Sequence, residues 1–335
     1  MSPLLVTVVL LLLAAGTIYF ACEFFVNGVE WLGRRMSVGA TATGTILAAF
    51  GTALPESVIT FVAVAFGKTG EQKALGVGAA LGGPLVLATV AYPVVGLVMF
   101  LAAKQFARTP AFDRLFARLS RDQGYFLAIF AVKVAVGLVA FAFKPLLGLA
   151  FLAAYAVYFW KEMTHEEEAG VEEALEPLIL ARKATLPPLG LCLLQTLGAL
   201  VVIFVASRLF VTQLDVLGPA VGLKPQLLAL LVSPIATELP ETMNAIIWVR
   251  QGKIRLALAN ISGAMMIQAT VPTAFGLFFT PWRLDPSLVL AAGVTIASIA
   301  VMYVAFRSGR VSRTLLTSMA ALYRVFIGAL AAFPG

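Results

Sequence analysis

Two short stretches of this 335-residue chain repeat one unusual pattern. Gly51-Thr52-Ala53-Leu54-Pro55-Glu56 and Ala236-Thr237-Glu238-Leu239-Pro240-Glu241 share Thr, Leu, Pro and Glu at an offset of 185 residues. Both sit inside apolar sequence. Proline has no N–H, so in a helix Pro55 frees the carbonyl of Gly51 and Pro240 frees that of Ala236. A freed carbonyl in hydrocarbon is costly unless it lines a cavity or finds a partner. A threonine hydroxyl and a glutamate stand beside each one, and carbonyl, hydroxyl and carboxylate oxygens are what hard cations prefer as ligands. A glutamate inside a membrane costs at least ~2.5 kcal/mol. A single copy reads as a kinked helix with a partnered carboxylate; a duplicated copy points to a shared cation site.

Further polar residues cluster in sequence near the motifs. Glu238 is three residues from Glu241, a spacing that places both on one face of a helical turn. Three carboxylates at one site repel, so a cation, a proton or both must balance them. Asn260 and Gln268 follow the second motif on the next apolar run. Lys133 and Arg324 fall inside apolar runs, where an ion pair, with Glu23 as a partner, and a fixed charge beside the site are both open readings. His165 is the only histidine, and it lies in a polar loop. An intramembrane enzyme needs a nucleophile–base pair, an aspartate pair or His-Glu-x-x-His. No such motif occurs, and no aspartate lies mid-segment.

Membrane-spanning helices must hold these residues. The chain is 61% hydrophobic and 12% charged, about half the charge of a soluble domain. Ten apolar segments are expected at 3–33, 38–66, 74–103, 122–143, 145–162, 187–213, 222–249, 254–280, 285–306 and 312–333. Each is about long enough to cross a bilayer as a helix. The third and eighth have room for extra breaks. The first run, with no basic stretch before it, reads as a retained helix. The fold class is therefore an all-α polytopic membrane protein of ten transmembrane helices. Residues 163–186, with the acidic run Glu166-Glu167-Glu168, read as a linker between a first five-helix repeat (1–162) and a second (187–335). Five is odd, so the copies cross the membrane in opposite senses, as in inverted-repeat transporters. Helices 2 and 7, which carry the motifs, are expected to be broken.

Of the 24 Lys and Arg, sixteen fall on the side of the first connection and five on the other. That bias makes the linker cytoplasmic and puts both termini outside, in a cell membrane of bacterial type. The formal charge of +7 forms no basic patch with interleaved aromatics, which excludes a nucleic-acid partner. Cys22 and Cys192 lie in apolar runs and imply no disulfide or metal.

At the two motifs the sequence resembles the sodium/calcium exchanger family, whose repeats carry a Gly-Thr-Ser-Leu-Pro-Glu pattern on the second and seventh of ten helices. The resemblance implies secondary-active antiport of calcium against sodium or protons, with no cofactor and inorganic cations and lipid as partners. It implies Glu56 and Glu241 as central metal ligands, with Thr52 and Thr237 adding oxygens. Glu238 stands where the family has a small residue. The family's Gly-Asn-x-x-Gly-Ser-Asn/Asp stretch survives only as Asn260 and Gly263 in the second copy. In the first copy it is replaced by Gly76-Val77-Gly78-Ala79-Ala80-Leu81-Gly82-Gly83-Pro84, whose glycines read as close helix packing. Glu238 and Asn260 are expected to adjust charge and selectivity. Manganese, magnesium and sodium/proton transport stay open as alternatives, as does a channel.

Overall fold

The computed structural model describes residues 3–35, 48–106, 109–139, 143–164 and 175–332. The acidic run and His165 lie outside the described residues, and so does the Thr52 side chain. The described residues form helices without strands. In chain order these are α1 (Pro3–Arg35), α2 (Ala48–Phe66), α3 (Gly70–Val86), α4 (Tyr92–Leu101), α5 (Pro110–Leu138), α6 (Lys144–Thr164), α7 (Leu189–Ala220), α8 (Pro225–Thr237), α9 (Leu239–Arg250), α10 (Ile254–Phe279), α11 (Pro286–Arg307), α12 (Arg313–Ser318) and α13 (Ala320–Ala332).

Local sequence explains where several helices start and stop. Thr69, Asp285 and Ser312 each take non-helical backbone and accept a hydrogen bond from the amide three residues on, so they cap α3, α11 and α12. Arg34 and Arg35 close α1, where a helix C-terminus favours positive charge. Between α9 and α10, Gly252 takes a φ of 83° and Lys253 N donates back to the Trp248 carbonyl at 2.7 Å. That left-handed turn suits glycine.

Among the described residues, six helical stretches are long and apolar enough to cross a membrane: Leu4–Arg35, Gly70–Leu101, Leu189–Ala220, Ile254–Phe279, Pro286–Arg307 and Arg313–Ala332. Leucines and valines such as Leu12, Leu101, Leu194, Val201 and Val205 are exposed along them, as a lipid-facing surface requires. Burial separates the centre from the rim. Within their apolar windows Gly70–Leu101 is 72% buried and Ile254–Phe279 is 78%, against 28% for Leu4–Arg35.

The packing is reciprocal. α2, which holds the first motif, lies against α10, the helix after the second motif. α8, which ends at Thr237 of the second motif, lies against α3, the helix after the first. α1 pairs with α7, α5 with α11, and α4 with α12. Glycine allows the closest of these approaches. A Cβ on Gly82 would lie 2.6 Å from the Leu230 carbonyl oxygen on α8, and one on Gly76 would lie 2.5 Å from Val64 Cγ1 on α2. The glycine-rich stretch is thus a packing surface, as expected.

The structure corrects four sequence expectations. Helix α2 continues through Pro55, so the first motif is not a break among the described residues; a proline removes one hydrogen bond but helical dihedrals can persist across it. The third segment is interrupted by a π-helical turn at Leu87–Ala91, whereas the eighth runs unbroken through Pro272. The fourth helix begins at Pro110 rather than near 122, because its charged first half buries Leu115, Phe116 and Leu119. That extension puts Asp122 in the middle of α5, buried beside Gln123, so an aspartate does lie mid-helix. Gln123 Nε2 donates to Tyr92 Oη at 2.9 Å and to Ser262 Oγ at 3.0 Å.

The end of the central segment is pinned to both rim helices. Trp31 Nε1 donates to the Glu176 carbonyl at 2.9 Å. Asn27 Oδ1 accepts from the Ile179 amide at 3.0 Å and from Gln195 Nε2 at 2.9 Å. Gln195 Oε1 accepts from the Leu180 amide at 2.9 Å. Asn27→Ala removes the acceptor shared by the Ile179 amide and Gln195 Nε2. The expected cost is about 1–3 kcal/mol, read as a lower thermal midpoint in detergent.

Candidate cation-binding site

The two motifs meet. The Thr237 hydroxyl on α8 lies 2.5 Å from Glu56 Oε2 on α2, across 181 residues of sequence. It also lies 3.1 Å from the Ser233 carbonyl and 3.5 Å from Glu238 Oε1. It has one proton to give, and the short contact to a carboxylate is the strongest of the three. Gln268 on α10 donates from Nε2 to Glu238 Oε1 at 2.6 Å.

The break in the second motif falls at Glu238, not at the proline. Glu238 takes φ −90° and ψ 2° between α8 and α9. Pro240 then sits in the first turn of α9, where a missing N–H costs nothing. Glu241 shares that first turn, so its carboxylate faces the positive end of a short helix. Glu238 and Glu241 therefore do not share a face of one continuous helix. They flank a joint, and Glu238 feels the charges of both Glu241 and Glu56.

All three glutamates are at most 1% exposed. Among the described residues, Glu56 Oε1, Glu238 Oε2 and Gln268 Oε1 make no hydrogen bond. A buried oxygen without a donor is expensive, and three such oxygens suit a hard cation. Among the described residues, no group of three or more His, Cys, Asp or Glu side chains is gathered so as to hold a metal ion. Thr237 and Gln268 occupy part of the carboxylates' capacity instead. Gly83 makes room here, since a Cβ on it would lie 2.6 Å from Gln268 Oε1 and 3.0 Å from Glu238 Oε1.

Of the residues singled out in the sequence, Glu56, Thr237 and Glu238 are thus brought together, with Gln268 joining them, and Glu241 lies within electrostatic reach of Glu238. Asn260 is set apart. It lies eight residues before Gln268, about 12 Å along α10, buried, with both amide atoms lacking a hydrogen bond among the described residues. Lys133 does not pair with Glu23, which is exposed on α1. It is fully buried and donates to the carbonyls of Ala80 at 2.7 Å and Gln268 at 3.3 Å. Arg324 is exposed on α13. Cys22 and Cys192 are free and buried.

Two carboxylate-bearing motifs joined across a bundle centre are a transporter's arrangement, and comparison with known proteins says which kind. Residues 6–161 and 191–331 match the sodium/calcium exchanger protein family, covering both motifs. The chain belongs to that family. It is a membrane transporter of the cation-exchanger type and not an enzyme. The inner membrane protein YrbG of Escherichia coli K12 is 25% identical over 298 residues, covering 84% of this chain and 83% of YrbG. The putative antiporter CaxA of Alkalimonas amylolytica is 23% identical over 334 residues, covering 97% and 98%. In fold, the exchanger resembles the crystal structure of the H+/Ca2+ exchanger CAX, with a TM-score of 0.73 at 19% identity over 98% of this chain and 82% of that one. It also resembles the sodium-calcium exchanger NCX_Mj, with a TM-score of 0.61 at 18% identity over 98% and 99%.

Replacing Thr237 by valine keeps its shape and removes the hydroxyl that bonds Glu56. Leaving a buried carboxylate oxygen without that donor costs about 1–3 kcal/mol. Cation uptake should need a roughly tenfold higher ion concentration for half-maximal rate. Thr212→Val, which removes a hydroxyl bonded only to the Arg208 carbonyl on α7, should leave that concentration unchanged.

Proposed function

We propose that this exchanger is a secondary-active antiporter that moves calcium against sodium or protons by alternating access around Glu56, Glu238 and Glu241. The contact between Thr237 and Glu56 carries the reading, because it joins the two motifs at one enclosed point. Thr237, Gln268 and Thr52 add neutral oxygens. Asn260 belongs to the approach along α10 rather than to the shell itself. The names of CAX and NCX_Mj, which pair calcium with protons and with sodium, fit the same choice of ions.

The carboxylates are shut off from solvent, which corresponds to an occluded state between two openings. Calcium and the coupling ion compete for the same oxygens, so each drives the other out, and exchange follows from mutual exclusion. In this reading the chain has ten spans, in two oppositely inserted repeats, 1–162 and 187–335, joined by a cytoplasmic linker at 163–186 with both termini outside. The reciprocal packing of α2 on α10 and α3 on α8 supports a two-fold relation of the halves.

The test is calcium uptake by purified protein in proteoliposomes, driven first by an outward sodium gradient and then by an outward proton gradient. One of the two should accelerate uptake at least tenfold over symmetric ions. Equal insensitivity to both would sink the antiporter reading. Manganese and magnesium as competitors rank the transported ion, since oxygen ligands alone separate these ions poorly.

A further inference from the structure

The two carbonyls that receive Lys133 have something in common. Proline frees the carbonyl four residues before it. Ala80 lies four residues before Pro84, inside α3, and Gln268 lies four residues before Pro272, inside α10. Both prolines therefore leave a helix carbonyl without its usual partner, one in each of the helices that follow the two motifs. Lys133 reaches in from α5 and satisfies both, at 2.7 and 3.3 Å. Its ammonium also lies over the rings of Phe130 and Trp282, with ring-centre distances of 5.1 and 5.8 Å. Trp282 in turn donates from Nε1 to the Lys133 carbonyl at 3.1 Å, which fixes the base of the side chain.

We propose that the Lys133 ammonium is a built-in cation that occupies, between the carbonyls freed by Pro84 and Pro272, the position of one monovalent coupling ion. Backbone carbonyls released from helix hydrogen bonding are groups that help coordinate sodium in transporters, and here two of them face one cradle. Here a covalently attached charge fills the cradle. The Gln268 main chain holds the lysine while the Gln268 side chain holds Glu238, so one residue ties the lysine to the carboxylates. A fixed charge cannot be exchanged. The antiporter then works with one mobile monovalent ion fewer than a site with an open cradle, and the filling of that position does not depend on ion concentration. The absence of Asn or Asp ligands from the Gly76–Gly83 stretch fits, because a lysine held by main-chain oxygens needs none.

The transport arm of the test rests on the antiporter reading; the binding arm does not. Full-length wild type, Lys133→Ala and Lys133→Gln are compared in sodium, methylammonium and choline chloride at equal ionic strength. With its cradle already filled, wild type should give the same thermal midpoint and the same calcium uptake in methylammonium as in choline. Lys133→Ala opens the cradle. In choline its uptake should fall at least tenfold. Sodium or methylammonium should restore a third or more of it and raise its midpoint by several degrees. Lys133→Gln keeps a hydrogen-bond donor without the charge, and its uptake should stay low in choline while the protein remains folded.

The proposal is overturned if Lys133→Ala transports like wild type in choline, or if neither cation changes its midpoint or uptake. Should the alanine variant not fold, the glutamine variant decides: wild-type uptake in choline overturns the proposal, and loss of uptake in a folded protein upholds it. If wild type moves no calcium under any gradient, the antiporter reading fails. The midpoint shift of Lys133→Ala with methylammonium or sodium still tests the cradle in that case.

Discussion

Glu241→Gln should eliminate calcium exchange while leaving the protein folded. The substitution removes a charge and keeps the shape. Glu241 is fully buried in the first turn of α9, next to the Glu238 joint and within electrostatic reach of it. A divalent ion held there loses one of its balancing charges in a site screened from water. Breaking a buried ionic contact costs about 3–5 kcal/mol, and each 1.4 kcal/mol is about a factor of ten. Uptake should therefore fall by roughly a hundredfold or more at fixed calcium. Glu56→Gln should do the same, because the Glu56 carboxylate lies on the other side of the Thr237 contact. The measurement is initial calcium uptake in proteoliposomes, with elution as a single species as the folding control. Exchange at the wild-type rate in either variant would remove that residue from the site.

Gly82→Ala and Gly83→Ala should fail in different ways although they are neighbours. At Gly82 the added methyl meets Leu230 main chain and the Pro234 ring, on a helix that cannot move aside cheaply. Overpacking of this kind costs about 1–3 kcal/mol, and it pushes α3 from α8, one of the two reciprocal contacts. The expected result is a midpoint lowered by several degrees and poor yield. At Gly83 the methyl meets the ends of Gln268 and Glu238 instead, which can shift. Stability should change little, whereas uptake should drop about tenfold or more because the pair it displaces belongs to the site. Equal midpoints for the two variants would contradict this division.

The sequence made the carboxylates legible and left their geometry obscure. The repeated Thr-x-Leu-Pro-Glu pattern marks Glu56, Thr237 and Glu241 because proline and glutamate are both costly in apolar helices. The same carbonyl rule applied at Pro84 and Pro272 identifies the freed oxygens of Ala80 and Gln268. Only the fold shows that Lys133, 53 residues from one and 135 from the other, reaches both. Glu23 looked like its partner because both are charges in apolar sequence, but sequence spacing carries no information about which helices pack together. The start of α5 was hidden for a related reason. Residues 110–121 are rich in arginine and read as a loop, yet their apolar side is buried. A break in helix 7 is legible from its proline, but its place at Glu238 is not, because proline in a first turn begins a helix as readily as it ends one.

The contact between Thr237 and Glu56 also bears on how the protein is made. Its two ends are 181 residues apart. At about 5–20 residues per second, the ribosome needs roughly 10–40 s to reach Thr237 after it has made Glu56. During that interval the first half is in or near the membrane with its glutamate, its glycine face and its proline-freed carbonyls all lacking the second half. Lys133 belongs to the same half and can reach the Ala80 carbonyl in the meantime. A chaperone or insertase that shelters polar helices would find its client in this half-made chain, and the same lysine that fills the cradle in the finished protein would be its first internal protection.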